Sequence, residues 1–300
     1  MSSLAPPPGR QGPGPIPSPL LRQLDLTPAR RSAGLHPGDH RAPGVGAGTE
    51  LAQLRPYQVG DDVRQLDPAA TARTGTPHVR LQVPERLLTT WILLDVSPSM
   101  AFGTAERLKS DVAEGAVRVV SRLALRRGGR VALLTCGARQ QRFLPPRGGR
   151  RALARVDRLL GEGVARDGDG ANDQLDRATA RLARIARQPG LIAVVSDFRD
   201  HGRWAAALRA LGARHSLLAF EVRDPREATL PALGQLVLVD PESGRQLEVD
   251  TDSAALRRDY AAGEARARQA VADGLRRAGA HHVVLSTDGQ WLRELGRILR

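Results

Sequence analysis

Asp95, Ser97 and Ser99 stand at alternate positions in LDVSPSM (94–100), directly after the strand-forming run 89–94. One carboxylate and two hydroxyls at this spacing offer three oxygen donors, and the intervening Val96 and Pro98 let the chain turn so that they converge. Hard cations such as Mg2+ take oxygen ligands in an octahedral array and keep several waters, so this set plus one further carboxylate suffices. Asp197, which ends the buried-looking run LIAVVSD (191–197), supplies that carboxylate if its strand neighbours the first. The same residues also fit a plain turn leading into a helix, with Ser99 or Thr104 as N-cap and Asp95 bonding loop amides.

Other chemistry is sparse. Lys109 is the only lysine among 45 basic residues, and no Gly-x-x-x-x-Gly-Lys precedes it, which excludes a phosphate-binding loop of that type. The nucleophile elbow Gly-x-Ser-x-Gly and the zinc motif His-Glu-x-x-His are absent, and Ser97 and Ser99 have no evident histidine base. His281 and His282 are adjacent on a strand and so face opposite ways, which argues against a shared metal. These absences favour a binding module over an enzyme; a metal-dependent hydrolase would need a general base at Asp95, Asp173 or Asp197.

The elements that must position these residues alternate. HVRLQV and LTTWILLDV read as strands, a helical pattern runs from Thr104 through Leu108, Val112, Ala116, Val119 and Leu123, and RVALLTC is the next strand. QQRFLP pairs beside it, ALARVDRLL and QLDRATARLARIA are helical, and LIAVVS is a buried strand. RWAAALRAL, HSLLAFEV, a long helix over about 253–278, HHVVLS and a last helix near Trp291 to Leu299 complete the pattern. Between them GQLVLVDPESGRQLEVD reads as a small hairpin inserted near 230–250. The implied fold is α/β, doubly wound around a mainly parallel sheet with helices on both faces, a class whose sites form at the carboxyl ends of strands.

Residues 1–46 are rich in Pro, Gly and Ser and are expected to be a disordered tail; 47–300 read as a single domain. The 41% hydrophobic and 3% aromatic content predicts an aliphatic core, with the single Cys136 inside it. No apolar run approaches the ~20 residues of a membrane span, and no signal-peptide pattern opens the chain, so a cytoplasmic protein is expected. The net charge of +13 is almost all arginine scattered on helices. One denser patch, PPRGGRR (145–151) with Arg155 and Arg158, gives an alternative: a basic anion or nucleic-acid binder using Arg147 through Arg158, although no aromatic platform accompanies it.

The Asp-x-Ser-x-Ser strand end with a later strand ending in Ser-Asp resembles the metal-ion-dependent adhesion site of von Willebrand factor A domains. LRPYQVGDDVRQLDPAATARTGTPHVR (54–80) resembles the signature of the bacterial domain of unknown function 58 family, and VSDF (195–198), VRDPREATLPALG (222–234), VDPESG (239–244) and LSTDGQWL (285–292) resemble its later segments. The resemblance implies a Mg2+ or Mn2+ ion held by Asp95, Ser97, Ser99 and Asp197. It also implies a non-enzymatic interaction module acting as an adaptor beside a MoxR-type AAA+ ATPase, the ion keeping a position for a carboxylate of an acidic protein ligand. Such sites take a threonine from a Gly-Gly-Thr loop, whereas this chain reads DGDGANDQLDRA (167–178). Anchoring on Leu175 and Ala178 puts Asp173 at the threonine position, and anchoring on Gly170 puts Ala171 there; Thr179 sits too deep in the following helix. In the signature, Arg55, Tyr57, Asp61, Asp62, Asp67 and Arg73 read equally as a surface site or as charges that fix a loop.

Overall fold

The computed structural model describes residues 4–5, 50–83, 88–103, 107–126, 128–170, 174–199, 204–288 and 291–298. Its main body is one six-stranded sheet. The strands are β4 (Thr89–Asp95), β5 (Arg130–Cys136), β6 (Phe143–Arg147), β8 (Leu191–Ser196), β9 (Ser216–Arg223) and β12 (His281–Ser286), in the order β12-β9-β8-β4-β5-β6. All neighbours are parallel except β6, which lies antiparallel on the edge.

Side chains alternate across β4 because a strand has a period of two. Ile92 and Leu94 enter a core built with α2 (Lys109–Arg126), α3 (Gly149–Leu160) and α7 (Trp291–Ile298). Trp91 and Leu93 enter a second core with α4 (Gln174–Ile185), α5 (Trp204–Gly212) and α6 (Ala254–Arg277), and Cys136 belongs to this one. A strand buried on both faces reads as a continuous apolar run, which is why TTWILL shows no polar alternation. Helix α2 begins at Lys109; residues 104–106, where the sequence reading starts it, lie outside the described residues.

The chain divides into two compact units, Gly38–Leu87 and Met1–Pro37 with Leu88–Arg300, where the sequence reading has a single domain over 47–300. In the smaller unit β2 (Glu50–Pro56) and β3 (His78–Val83) pair with each other as a two-stranded antiparallel sheet, so HVRLQV has its partner within the unit. Between them Asp67 caps α1 (Pro68–Thr74): its Oδ1 accepts from Ala70 N–H at 2.8 Å and its Oδ2 from Arg80 Nε at 2.6 Å. Arg55 grips Asp61 through two hydrogen bonds of 2.8 and 2.7 Å, and Asp62 accepts from Arg64 N–H, so these signature charges hold their own loop. Leu4–Ala5 forms β1, antiparallel to β7 (Val164–Ala165); the rest of 1–46, where the sequence reading has a disordered tail, lies outside the described residues.

The insertion is the expected hairpin, β10 (Gln235–Val239) antiparallel to β11 (Gln246–Asp250). No helix among the described residues is long and apolar enough to cross a membrane.

Candidate metal centre

Strands β4 and β8 are neighbours, with Leu94 opposite Val195, so the Asp95 and Ser196–Asp197 ends emerge side by side at the carboxyl edge of the sheet. The backbone after each strand turns at once. Asp95 Oδ1 accepts from Ser97 N–H at 2.9 Å, and the turn Pro98–Ala101 then brings the Ser97 and Ser99 hydroxyls to 3.0 Å from each other. After β8, Ser196 Oγ donates to Asp95 Oδ2 at 2.5 Å and accepts from Phe198 N–H at 2.9 Å. Phe198 sits at φ 54°, a left-handed conformation unusual for a bulky residue, directly after Asp197. On the other side Gly137 follows β5 at φ 88°; a Cβ there would lie 2.4 Å from Ser97 N and 2.6 Å from Asp95 Oδ1. Asp95, Ser97, Ser99 and Asp197 are all buried.

Two residues that the motif did not announce join them. Lys109, fully buried at the start of α2, donates from Nζ to Asp197 Oδ2 at 2.6 Å and to Glu227 Oε1 at 2.7 Å. Burial works against its charge, but the Asp197 and Glu227 carboxylates outweigh that and hold the ammonium above the ordinary lysine value. Burial likewise pushes Asp197 up, and the Lys109 charge and hydrogen bond more than reverse it, leaving Asp197 below the usual carboxylate value. Among the described residues Asp95 has no such partner: burial, then the neighbouring Asp197 charge, raise it to about 7 against the hydrogen bonds from Ser196 and Ser97. The second newcomer is Glu242, at the tip of the β10–β11 hairpin, whose Oε1 accepts from Ser99 N–H at 3.1 Å. Burial, with smaller contributions from Asp197 and Asp240, raises its carboxyl despite the hydrogen bonds from Ser99.

Residues 53–270 match the family described as protein of unknown function DUF58. The chain belongs to this family. Uncharacterized proteins of Mycobacterium bovis and Mycobacterium tuberculosis are each 40% identical to this DUF58 protein over 279 residues, spanning 93% of this chain and 87% of theirs. Among solved structures it is similar to an SpRpn10 VWA domain (16% identity, 70% of this chain, 94% of that one, TM-score 0.38). It is also similar to a von Willebrand factor type A protein from Catenulispora acidiphila (14% identity, 71% of this chain, 42% of that one, TM-score 0.42). The mainly parallel sheet with a core on each face is the α/β class that the sequence implies.

The donor set of this DUF58 chain fits a hard octahedral cation. Adjacent ligands at about 2.0–2.1 Å from such an ion stand about 2.9 Å apart, close to the 3.0 Å between the Ser97 and Ser99 hydroxyls. Asp95 beside them is a buried acid with no positive partner among the described residues, the environment in which a bound cation lowers a carboxyl back to its charged form. Among the described residues no three His, Cys, Asp or Glu side chains gather as a metal cluster, because two of the donors are hydroxyls and Asp197 faces Lys109. Asp173 and Ala171, the two candidates for the missing threonine, lie outside the described residues. Thr179 donates to Leu175 O at 2.6 Å inside α4 and is spent there. His281 is exposed, while His282 bonds Glu221 at 2.7 Å, so the two imidazoles do separate. Arg147, Arg150, Arg151, Arg155 and Arg158 are exposed at the end of β6 and along α3.

Lys109 had one sequence signal: it is the sole lysine in a chain that otherwise uses arginine. A compact ammonium offers rotatable donors to the buried Asp197 and the partly buried Glu227 at once. Glu242 had only its place in VDPESG, one of the segments that resemble the family, which said nothing of a part in the centre.

Proposed function

We propose that this protein is a metal-dependent protein-interaction module that takes a carboxylate of an acidic partner and works as an adaptor beside an AAA+ ATPase of the MoxR type. The observation that carries the reading is the convergence of Asp95, Ser97 and Ser99 with Asp197 at the carboxyl ends of adjacent strands, with the two hydroxyls at octahedral spacing. Asp95, Ser97 and Ser99 would hold Mg2+ or Mn2+ directly, with Asp173 a further candidate ligand. When bound, such an ion supplies Lewis-acid affinity for a carboxylate. Lys109 keeps Asp197 ionised and fixed, at the cost of a positive charge that weakens cation affinity. The chain's net charge of +13 steers acidic partners toward it at low salt.

The test is a pull-down with the full chain in Mg2+, repeated in EDTA. Retention of an AAA+ ATPase in Mg2+ and its loss in EDTA is the expected result. Recovery of nucleic acid alone, insensitive to EDTA and lost steeply with salt, would overturn the proposal in favour of the arginine face on β6 and α3.

A further inference from the structure

The hairpin tip is built to deliver one carboxylate. Asp240 organises the turn: its Oδ1 accepts from Glu242 N–H at 3.1 Å, its Oδ2 accepts from the Ser243 hydroxyl, and its carbonyl accepts from Gly244 N–H at 2.8 Å, with Gly244 at φ 71°. Pro241 O then accepts from Gly168 N–H at 2.9 Å, which docks the tip on the 166–170 loop. Gly170 is where Glu242 passes closest: a Cβ there would stand 2.0 Å from Glu242 Oε2 and 2.9 Å from its Cα. The route past Gly170 ends with Glu242 Oε1 on Ser99 N–H, beside the Ser97–Ser99 hydroxyl pair.

The tip contact is not a by-product of strand burial. Val237, Val239 and Leu247 on the hairpin are 54%, 51% and 63% exposed. The hairpin base is fixed separately, by buried Thr251, whose Oγ1 donates to Gly234 O at 2.7 Å and accepts from Leu233 N–H at 3.0 Å. A base held in place, largely exposed strands and an ordered tip make a lever that ends in an acid.

We propose that Glu242 is the centre's own carboxylate ligand, holding from within the chain the position that an acidic partner would otherwise take. A partner must then lift the hairpin tip before its own acid can enter. This rests on the reading of Asp95, Ser97 and Ser99 as cation ligands.

Mn2+ alone is the probe, read on the full chain by titration and by water-proton relaxation of the bound ion. Two variants remove the ligand differently: Glu242→Gln changes its chemistry, and Gly170→Val keeps the glutamate but displaces it. Both should weaken Mn2+ binding by about tenfold or more, at least the loss seen for outer-shell partners, and both should raise relaxation because a water enters the vacated position. Wild-type affinity and relaxation in both variants would overturn the Glu242 assignment while leaving the cation site standing. A wild-type chain that binds no Mn2+ would sink the cation reading itself, and this inference with it. Should one variant melt below the assay temperature, the other decides.

Discussion

Replacing Lys109 by methionine tests whether the centre is held together by the chain's own ammonium. The side chain is fully buried, and its Nζ lies 2.6 Å from Asp197 Oδ2 and 2.7 Å from Glu227 Oε1, so methionine fills the volume but leaves the buried Asp197 carboxylate without its ammonium, while the partly buried Glu227 keeps Arg199 at 3.5 Å. Removing one partner of a buried ion pair costs about 3–5 kcal/mol, because the remaining charge has no water to return to. For a domain of this size each kcal/mol moves Tm by about 2–4 °C. Tm should therefore fall by roughly 6–20 °C by scanning calorimetry in EDTA. Adding Asp197→Asn should recover part of the loss, since the two effects share one interaction and cannot add. A second consequence separates this account from simple core damage. Without Lys109 the centre is more negative, so Mg2+ should raise the Tm of Lys109→Met by more than it raises that of the wild type. A variant that melts within about 2 °C of wild type, or one that Mg2+ stabilises no more than wild type, would refute the argument.

The raised Asp95 carboxyl gives a pH signature. A group lifted from 3.8 to about 7 on folding contributes stability that is complete below its unfolded value and is lost as pH rises through the folded one. In EDTA, wild-type stability should thus decline between those values relative to Asp95→Asn, as measured by urea unfolding across that range; parallel curves would contradict it. Asp197 runs the other way, its contribution being lost as pH falls below its ordinary range. Gly137→Ala should destabilise by about 1–3 kcal/mol and weaken Mn2+ binding, because its Cβ would press on Ser97 N and Asp95 Oδ1. Gly149→Ala is the control, with a similar positive φ of 73° and open space around it. Equal losses in the two by chemical denaturation would mean that backbone strain alone is at work.

The core elements of the larger unit were legible in the sequence for a local reason. Strand and helix periods are set by neighbouring residues, so TTWILL, RVALLTC and LIAVVS announced buried parallel strands, and LDVSPSM announced a turn rich in oxygen donors at the end of one. Even the hairpin was visible, as two strand-like runs around PESG. The division of the chain was not, because the β2–β3 pairing depends on where strand edges find partners, and the apolar pattern of HVRLQV is the same whichever sheet receives it. The signature charges stayed ambiguous until Arg55 was seen on Asp61 and Arg80 on Asp67. At the centre itself, spacing along one strand end was enough to nominate Asp95, Ser97 and Ser99, and a matching strand end nominated Asp197. Lys109 and Glu242 come from a helix start and a hairpin tip that carry no donor motif, and each becomes part of the centre only when packing removes it from water. Sequence alone nominated the oxygen donors at the two strand ends; the tertiary structure added Lys109 and Glu242 and decided the charge balance, because desolvation and the approach of distant ions are properties of position and not of residue type.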